Sequence, residues 1–175
     1  MGDRVLLPNL GLMKDELKLF VYGSLKMGEC NDHVIKDWVM SSEPATLKGR
    51  MYLRPDEYPA LFLSGLGTLG SSNYEQDLKL DTGMEPLEGS VISGQLLGLS
   101  SAKEALKVLD HFEGYFPGQE SEYLRVAVKV GTKSGNQNCW TYVGAGEPGS
   151  SWPELENWPP PGLNRAPEPY SHGLS

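Results

Sequence analysis

Cysteine is scarce in this chain. Cys30 and Cys139 are the only two in 175 residues, too few and too far apart for a disulfide framework and without the close spacing of a metal-ligand pair. Both are read as reduced thiols. Histidine is sparse as well: His33, His111 and His172 are scattered, and His111-Phe112-Glu113 has no second cluster to complete a metal site. No metal is expected. Basic residues are outnumbered, 15 Lys+Arg against 23 Asp+Glu for a formal net charge of -8, so a phosphate backbone is on average repelled and nucleic acid is not an expected partner. Long apolar runs are missing too. No stretch reaches membrane-spanning length, and residues 1–15 lack the basic, apolar and small-residue regions of a signal peptide. The expectation is a soluble, cytoplasmic protein with no membrane partner.

Several motifs are also absent. Gly23-Ser24-Leu25-Lys26-Met27-Gly28 lacks the Gly-Lys-Ser/Thr ending of a phosphate-binding loop. Nucleotide binding therefore has little support. Gly-x-Ser-x-Gly is absent, so Ser24 as a nucleophile has no supporting pattern and reads more simply as a turn or helix-capping hydroxyl. There is no internal repeat.

Glycine and proline are plentiful, at 21 and 13 residues, which favours many turns and short strands over a helical bundle. The length suits one domain, set at residues 17–145 between a lead-in at 1–16 and a Pro/Gly-rich tail at 146–175. Strand-like runs lie at 17–22, 45–53, 58–63, 89–99, 123–130 and 139–143, the last two forming a hairpin. Two helices are expected. Residues 31–40 place Val34, Ile35, Trp38 and Val39 at helical spacing, with Asn31 or Asp32 as N-cap. Residues 101–112 repeat Ala102, Ala105, Leu106, Leu109 and Phe112 at the same spacing, with Ser101 and Glu104 as a capping box. Between them, residues 64–88 have no sustained period and read mostly as a long surface loop, an insert in preference to a lid.

Two places could carry chemistry. The first strand stops at Tyr22-Gly23-Ser24-Leu25, where a glycine lets the backbone turn and lets a bound group approach the following amide N–H groups. Such donors suit a carboxylate or a polarised carbonyl. The second is Glu113, followed by Gly114 as the residue that ends a helix in the left-handed conformation. A carboxylate at a helix C-terminus meets the negative end of the dipole, and burial would raise its pKa further toward the range useful for proton transfer. The plainer alternative is a solvated carboxylate.

Taken in order, Tyr22-Gly23-Ser24-Leu25, Tyr58-Pro59-Ala60-Leu61, Gly94-Gln95-Leu96-Leu97, Leu109-Asp110-His111-Phe112-Glu113-Gly114-Tyr115 and Tyr123-Leu124-Arg125-Val126-Ala127-Val128 resemble the gamma-glutamylcyclotransferase-like family, in its gamma-glutamylamine cyclotransferase-like branch. The resemblance spans residues 19–143. It implies an α+β fold, a small mixed, mostly antiparallel β-barrel with a few external helices. It further implies an enzyme that cyclises a gamma-glutamyl group to 5-oxoproline, without cofactor. Glu113 is then the catalytic acid/base, and Tyr22, Gly23, Ser24 and Leu25 bind the substrate. The partner implied is a small gamma-glutamyl compound; oligomeric state is left open. Tyr170, near Pro167 and Pro169, resembles a late cavity tyrosine of some relatives. Two other classes stay open: a non-catalytic binding or regulatory module on the same fold, and a deprotecting enzyme of a biosynthetic pathway.

Overall fold

The computed structural model describes residues 15–163. In chain order its elements are β1 (Leu17–Val21), β2 (Val39–Leu53), β3 (Pro59–Phe62), α1 (Tyr74–Leu78), β4 (Ser90–Leu99), α2 (Ala102–Glu113), β5 (Tyr123–Thr132), β6 (Gly135–Gly144) and the two-residue β7 (Glu154–Leu155). Tyr170 and the lead-in residues 1–14 lie outside the described residues.

β1 has Leu17, Leu19, Phe20 and Val21 buried, and a strand apolar on both faces belongs inside a sheet rather than at its edge. It pairs antiparallel with β4 from Leu17↔Leu99 to Val21↔Gln95 and parallel with β6 at Leu19↔Trp140. The sheet order is β3-β2-β4-β1-β6-β5, and every pairing of named strands except β1 with β6 is antiparallel. The sheet also curls back, so that β5 meets β2 at the single pair Thr46↔Gly131. This is the mixed, sheet-dominated α+β fold expected. The buried face of α2, Ala102, Ala105, Leu106 and Leu109, shares one core with Leu17, Leu19, Leu97 and Leu99 of β1 and β4.

Local readings fail where tertiary bonds compete with them. Residues 31–40 form two short 3-10 turns, Asp32–Val34 and Lys36–Trp38, instead of a helix. The intended caps are engaged elsewhere: the Asn31 amide donates to the Ser24 carbonyl at 3.0 Å, its side-chain amide donates to Ser24 Oγ at 2.9 Å, and Asp32 accepts from the Gly28 amide at 2.9 Å. The β-branched Val34, Ile35 and Val39 offer little propensity to resist. The capping box at Ser101 is not formed either. Ser101 sits at φ 51 with no side-chain cap bond, and the Ala102 amide donates to the Asp15 carbonyl at 3.3 Å.

The 64–88 segment differs most from expectation. It contains α1, capped by Asn73, whose Oδ1 accepts from the Gln76 amide at 3.1 Å. It also runs twice beside β5. In the first pass Gly70 N–H donates to Arg125 O at 2.7 Å and Ala127 N–H to Thr68 O at 2.9 Å; in the second, Lys129 N–H donates to Met84 O at 2.9 Å. Residues 146–163 are likewise packed. β7 pairs with β2, and Trp158, 1 % exposed, donates its indole N–H to Glu57 O at 3.0 Å and stacks on Tyr58 at 6.1 Å.

Candidate active site

The end of β1, the β2–β3 turn, the last turn of α2 and the start of β5 enclose a cavity of about 180 Å³. Tyr22, Gly23, Ser24, Leu25 and Glu113 all line it, so the structure brings the five sequence-derived candidates together. Gly23 is needed for space: a Cβ there would lie 2.6 Å from Pro59 Cγ, closer than the rigid proline ring allows. Beyond it the chain turns, with the Lys26 amide donating to the Gly23 carbonyl at 3.0 Å. The amides of Gly23, Ser24 and Leu25 donate to no other described residue, which leaves them available to a ligand carboxylate or oxyanion.

Glu113 is the final residue of α2, and Gly114 at φ 67 ends the helix as expected. Its carboxyl pKa is raised to about 8. Burial is the leading cause, followed by the Glu122 carboxylate; the Arg54 guanidinium opposes them and Asp110 adds to the rise. A carboxyl so poised exchanges protons near neutral pH. The tyrosines differ in role. Tyr22 Oη donates to Tyr142 O at 2.7 Å and accepts from Leu61 N at 3.2 Å, and Tyr123 Oη donates to Pro59 O at 2.8 Å. Burial pushes both phenols well above their usual range, so neither gives up its proton near neutral pH. Ser24 Oγ accepts from the Asn31 side chain, and among the described residues no histidine lines the cavity to activate it.

A family profile described as Gamma-glutamyl cyclotransferase, AIG2-like matches residues 19–77 and 72–160. The chain belongs to that family. It is accordingly a gamma-glutamylcyclotransferase-type enzyme. Among curated proteins it is 28% identical over 142 residues to the gamma-L-glutamyl-butirosin B gamma-glutamyl cyclotransferase of Niallia circulans, covering 80% of this chain and 69% of that one. Its fold is similar to the crystal structure of an AIG2-like protein from Mus musculus, with TM-score 0.59 at 19% identity over 89% of this chain and 99% of that one. A solution structure of an Arabidopsis thaliana protein is similar at TM-score 0.51 and 22% identity, covering 78% of this chain and 73% of that one.

This family member also has cavity residues that sequence reading did not single out as site residues. Arg54, with a side chain 16% exposed, contacts Asp56 at 3.1 Å and Glu122 at 3.0 Å and lies 5.1 Å from the Tyr123 ring centroid. Among the described residues it is the one cation on the wall. The Arg54-Pro55-Asp56-Glu57 segment reads as a turn between strands, and only the fold reveals that Glu122 lines the same cavity and pairs with Arg54. No group of His, Cys, Asp and Glu among the described residues is arranged to hold a metal ion.

The 64–88 segment contributes no residue to the cavity wall. It instead reaches a buried charge cluster behind α2. Arg125 donates to both oxygens of Asp110, at 2.8 and 3.1 Å, to Asp77 Oδ2 at 3.0 Å and to Ser71 O at 3.0 Å. Tyr142 donates to the same Asp110 at 2.6 Å.

Proposed function

We propose that this enzyme closes a gamma-glutamyl group into 5-oxoproline and releases the amine that the group had acylated, with Glu113 moving the protons and the Gly23–Leu25 amides holding the substrate. The single observation that carries the reading is the meeting, in one small cavity, of a carboxyl of pKa about 8 and a turn whose amides have no partner among the described residues.

The chemistry asks little else of the protein. The α-amine of the gamma-glutamyl group attacks its own γ-carbonyl, a ring C–N bond forms, and the bond to the leaving nitrogen breaks. Both reacting centres lie in one molecule, so the enzyme's task is to hold the folded-back conformer. The ammonium must lose a proton before it attacks, and the departing nitrogen must gain one, so a single carboxyl serves in turn as base and acid. Bringing the substrate ammonium against Glu113 favours its ionised form, so binding itself charges the base. Amide donors at the Gly23–Leu25 turn would hold the substrate carboxylate or the developing oxyanion, where losing one donor typically costs about 3 kcal/mol of barrier.

The test is Glu113→Gln. It is expected to keep the circular dichroism spectrum and substrate binding of the parent while 5-oxoproline release falls by roughly 10²- to 10⁴-fold, the usual worth of acid–base catalysis. Release at the parental rate would refute the assignment. Gamma-glutamyl-lysine, simple gamma-glutamylamines, glutathione and gamma-L-glutamyl-butirosin B, the compound in the name of the Niallia circulans relative, form the substrate panel.

A further inference from the structure

A fully buried guanidinium between two buried aspartates calls for an explanation other than stability. Arg125 is 0% exposed, Asp77 8% and Asp110 5%, and such clusters are no more stabilising than well-packed apolar side chains of the same volume. What this cluster does provide is geometry. Asp110 is one turn before Glu113 on α2 and is gripped by the two-pronged Arg125 fork, with the Tyr142 hydroxyl on the same carboxylate. Arg125 Cζ sits over the Trp140 ring, 4.8 Å from its centroid.

The far side of the fork belongs to the 64–88 segment. Asp77 accepts from Arg125 Nη1, and Asp77 is itself fixed by the Ser71 amide at 2.7 Å and the Ser71 hydroxyl at 2.9 Å. The segment's backbone lies directly on the guanidinium, since a Cβ at Gly70 would come within 2.4 Å of Arg125 Cζ. Gly70 O also accepts from the Tyr115 hydroxyl, just beyond the end of α2. The last turn of α2 is thus held by its side chain at Asp110 and by Tyr115, and both holds lead to the same segment.

We infer that Asp77 and Arg125 are positioning residues for the cyclisation: through Asp110 they clamp the last turn of α2, so that the 64–88 segment, which never touches the cavity, sets where the Glu113 carboxyl stands. The inference rests on the proposed role of Glu113. Displacing a catalytic group by about 1 Å can cost roughly 10²-fold in rate while leaving substrate contacts in place, so the clamp governs turnover and not binding.

Two variants test it. Asp77→Asn removes the second carboxylate of the clamp, and Gly70→Ala pushes the segment off the guanidinium with every charge retained. Each is expected to lower kcat at least about tenfold with KM within about twofold of the parent, measured per folded molecule by 5-oxoproline release. Leu47→Ala, at a buried core position that does not line the cavity, serves as the control for general destabilisation and is expected to keep kcat. Hydrogen exchange gives a readout that needs no activity. The amides of Gly114 and Tyr115, which donate to His111 and Asp110, are expected to exchange at least about tenfold faster in both variants, with the amide of Ala105 unchanged. A kcat equal to the parent, or a raised KM at parental kcat, overturns the inference and leaves the proposed function standing. Unchanged exchange at Gly114 and Tyr115 overturns it whether or not the parent turns over any substrate. A parent that releases no 5-oxoproline from the whole panel, by contrast, refutes the function.

Discussion

The Glu113 carboxyl keeps its proton up to a pH of about 8, and this ties folding to pH in the opposite direction from an ion-paired acid. In the unfolded chain the group ionises near its ordinary 4.5, so its contribution to stability is full below that pH, declines as the pH rises, and is lost above about 8. Glu113→Gln has no such loss. The stability of the Gln variant relative to the parent is therefore expected to be lowest at pH 4.5 and below, to grow steadily up to about pH 8 and then to level off, as read by thermal unfolding monitored by circular dichroism. A gap that stays constant across that window would show a well-hydrated carboxyl. The same residue shows how much of the site could be read in advance. Glu113 and Tyr22 to Leu25 announce themselves through local signals, a helix-ending glycine and a strand that breaks at Gly-Ser. Arg54, Glu122 and Tyr142 do not, because each is ordinary within its own element and gains meaning only when the strands meet around the cavity.

At the scale of elements, α2 carries the clearest test of local encoding. Its end was legible because one residue decides it: Gly114 stands at φ 67, a conformation that costs a residue with a Cβ roughly 1–2 kcal/mol. Gly114→Ala also sets a methyl 3.3 Å from Glu122 Cβ. It is expected to lower stability by about 1 kcal/mol or more, measured by urea unfolding, and an unchanged midpoint would mean that the turn relaxes freely. The start of the same helix falls where the sequence puts it, with Ser101 at the N-cap, but Ser101 stands at φ 51 and its side chain makes no cap bond, so the capping box does not form. Residues 31–40 depart from the helix that their spacing suggests because Asn31 bonds back to Ser24 in the candidate substrate cradle and Asp32 to Gly28 just beyond it. The 64–88 segment has no period because its order comes from backbone bonds to β5 and from Arg125, neither of which leaves a repeat in the residues themselves.

Taken as a whole, the molecule is finished by parts that composition marks as peripheral. Trp158 is buried beneath the β2–β3 turn, and its carbonyl accepts from Lys26 Nζ at 2.8 Å, one residue past the Tyr22 to Leu25 turn. Trp158→Ala is expected to destabilise the fold by about 3–5 kcal/mol, the usual range for emptying an indole site, read from the guanidinium unfolding midpoint; a shift within error would mean that residues 146–163 are ornamental. The 64–88 segment covers β5. β5 ends the strand order, and a strand in that position ordinarily presents unpaired amides and carbonyls to any neighbour. Here the two passes around Leu69 and Met84 occupy those groups along Arg125 to Lys129. Stripped of that cover, β5 would be a template for strands from other molecules, so the stretch of chain that steadies the Glu113 turn also stands between this fold and polymerisation.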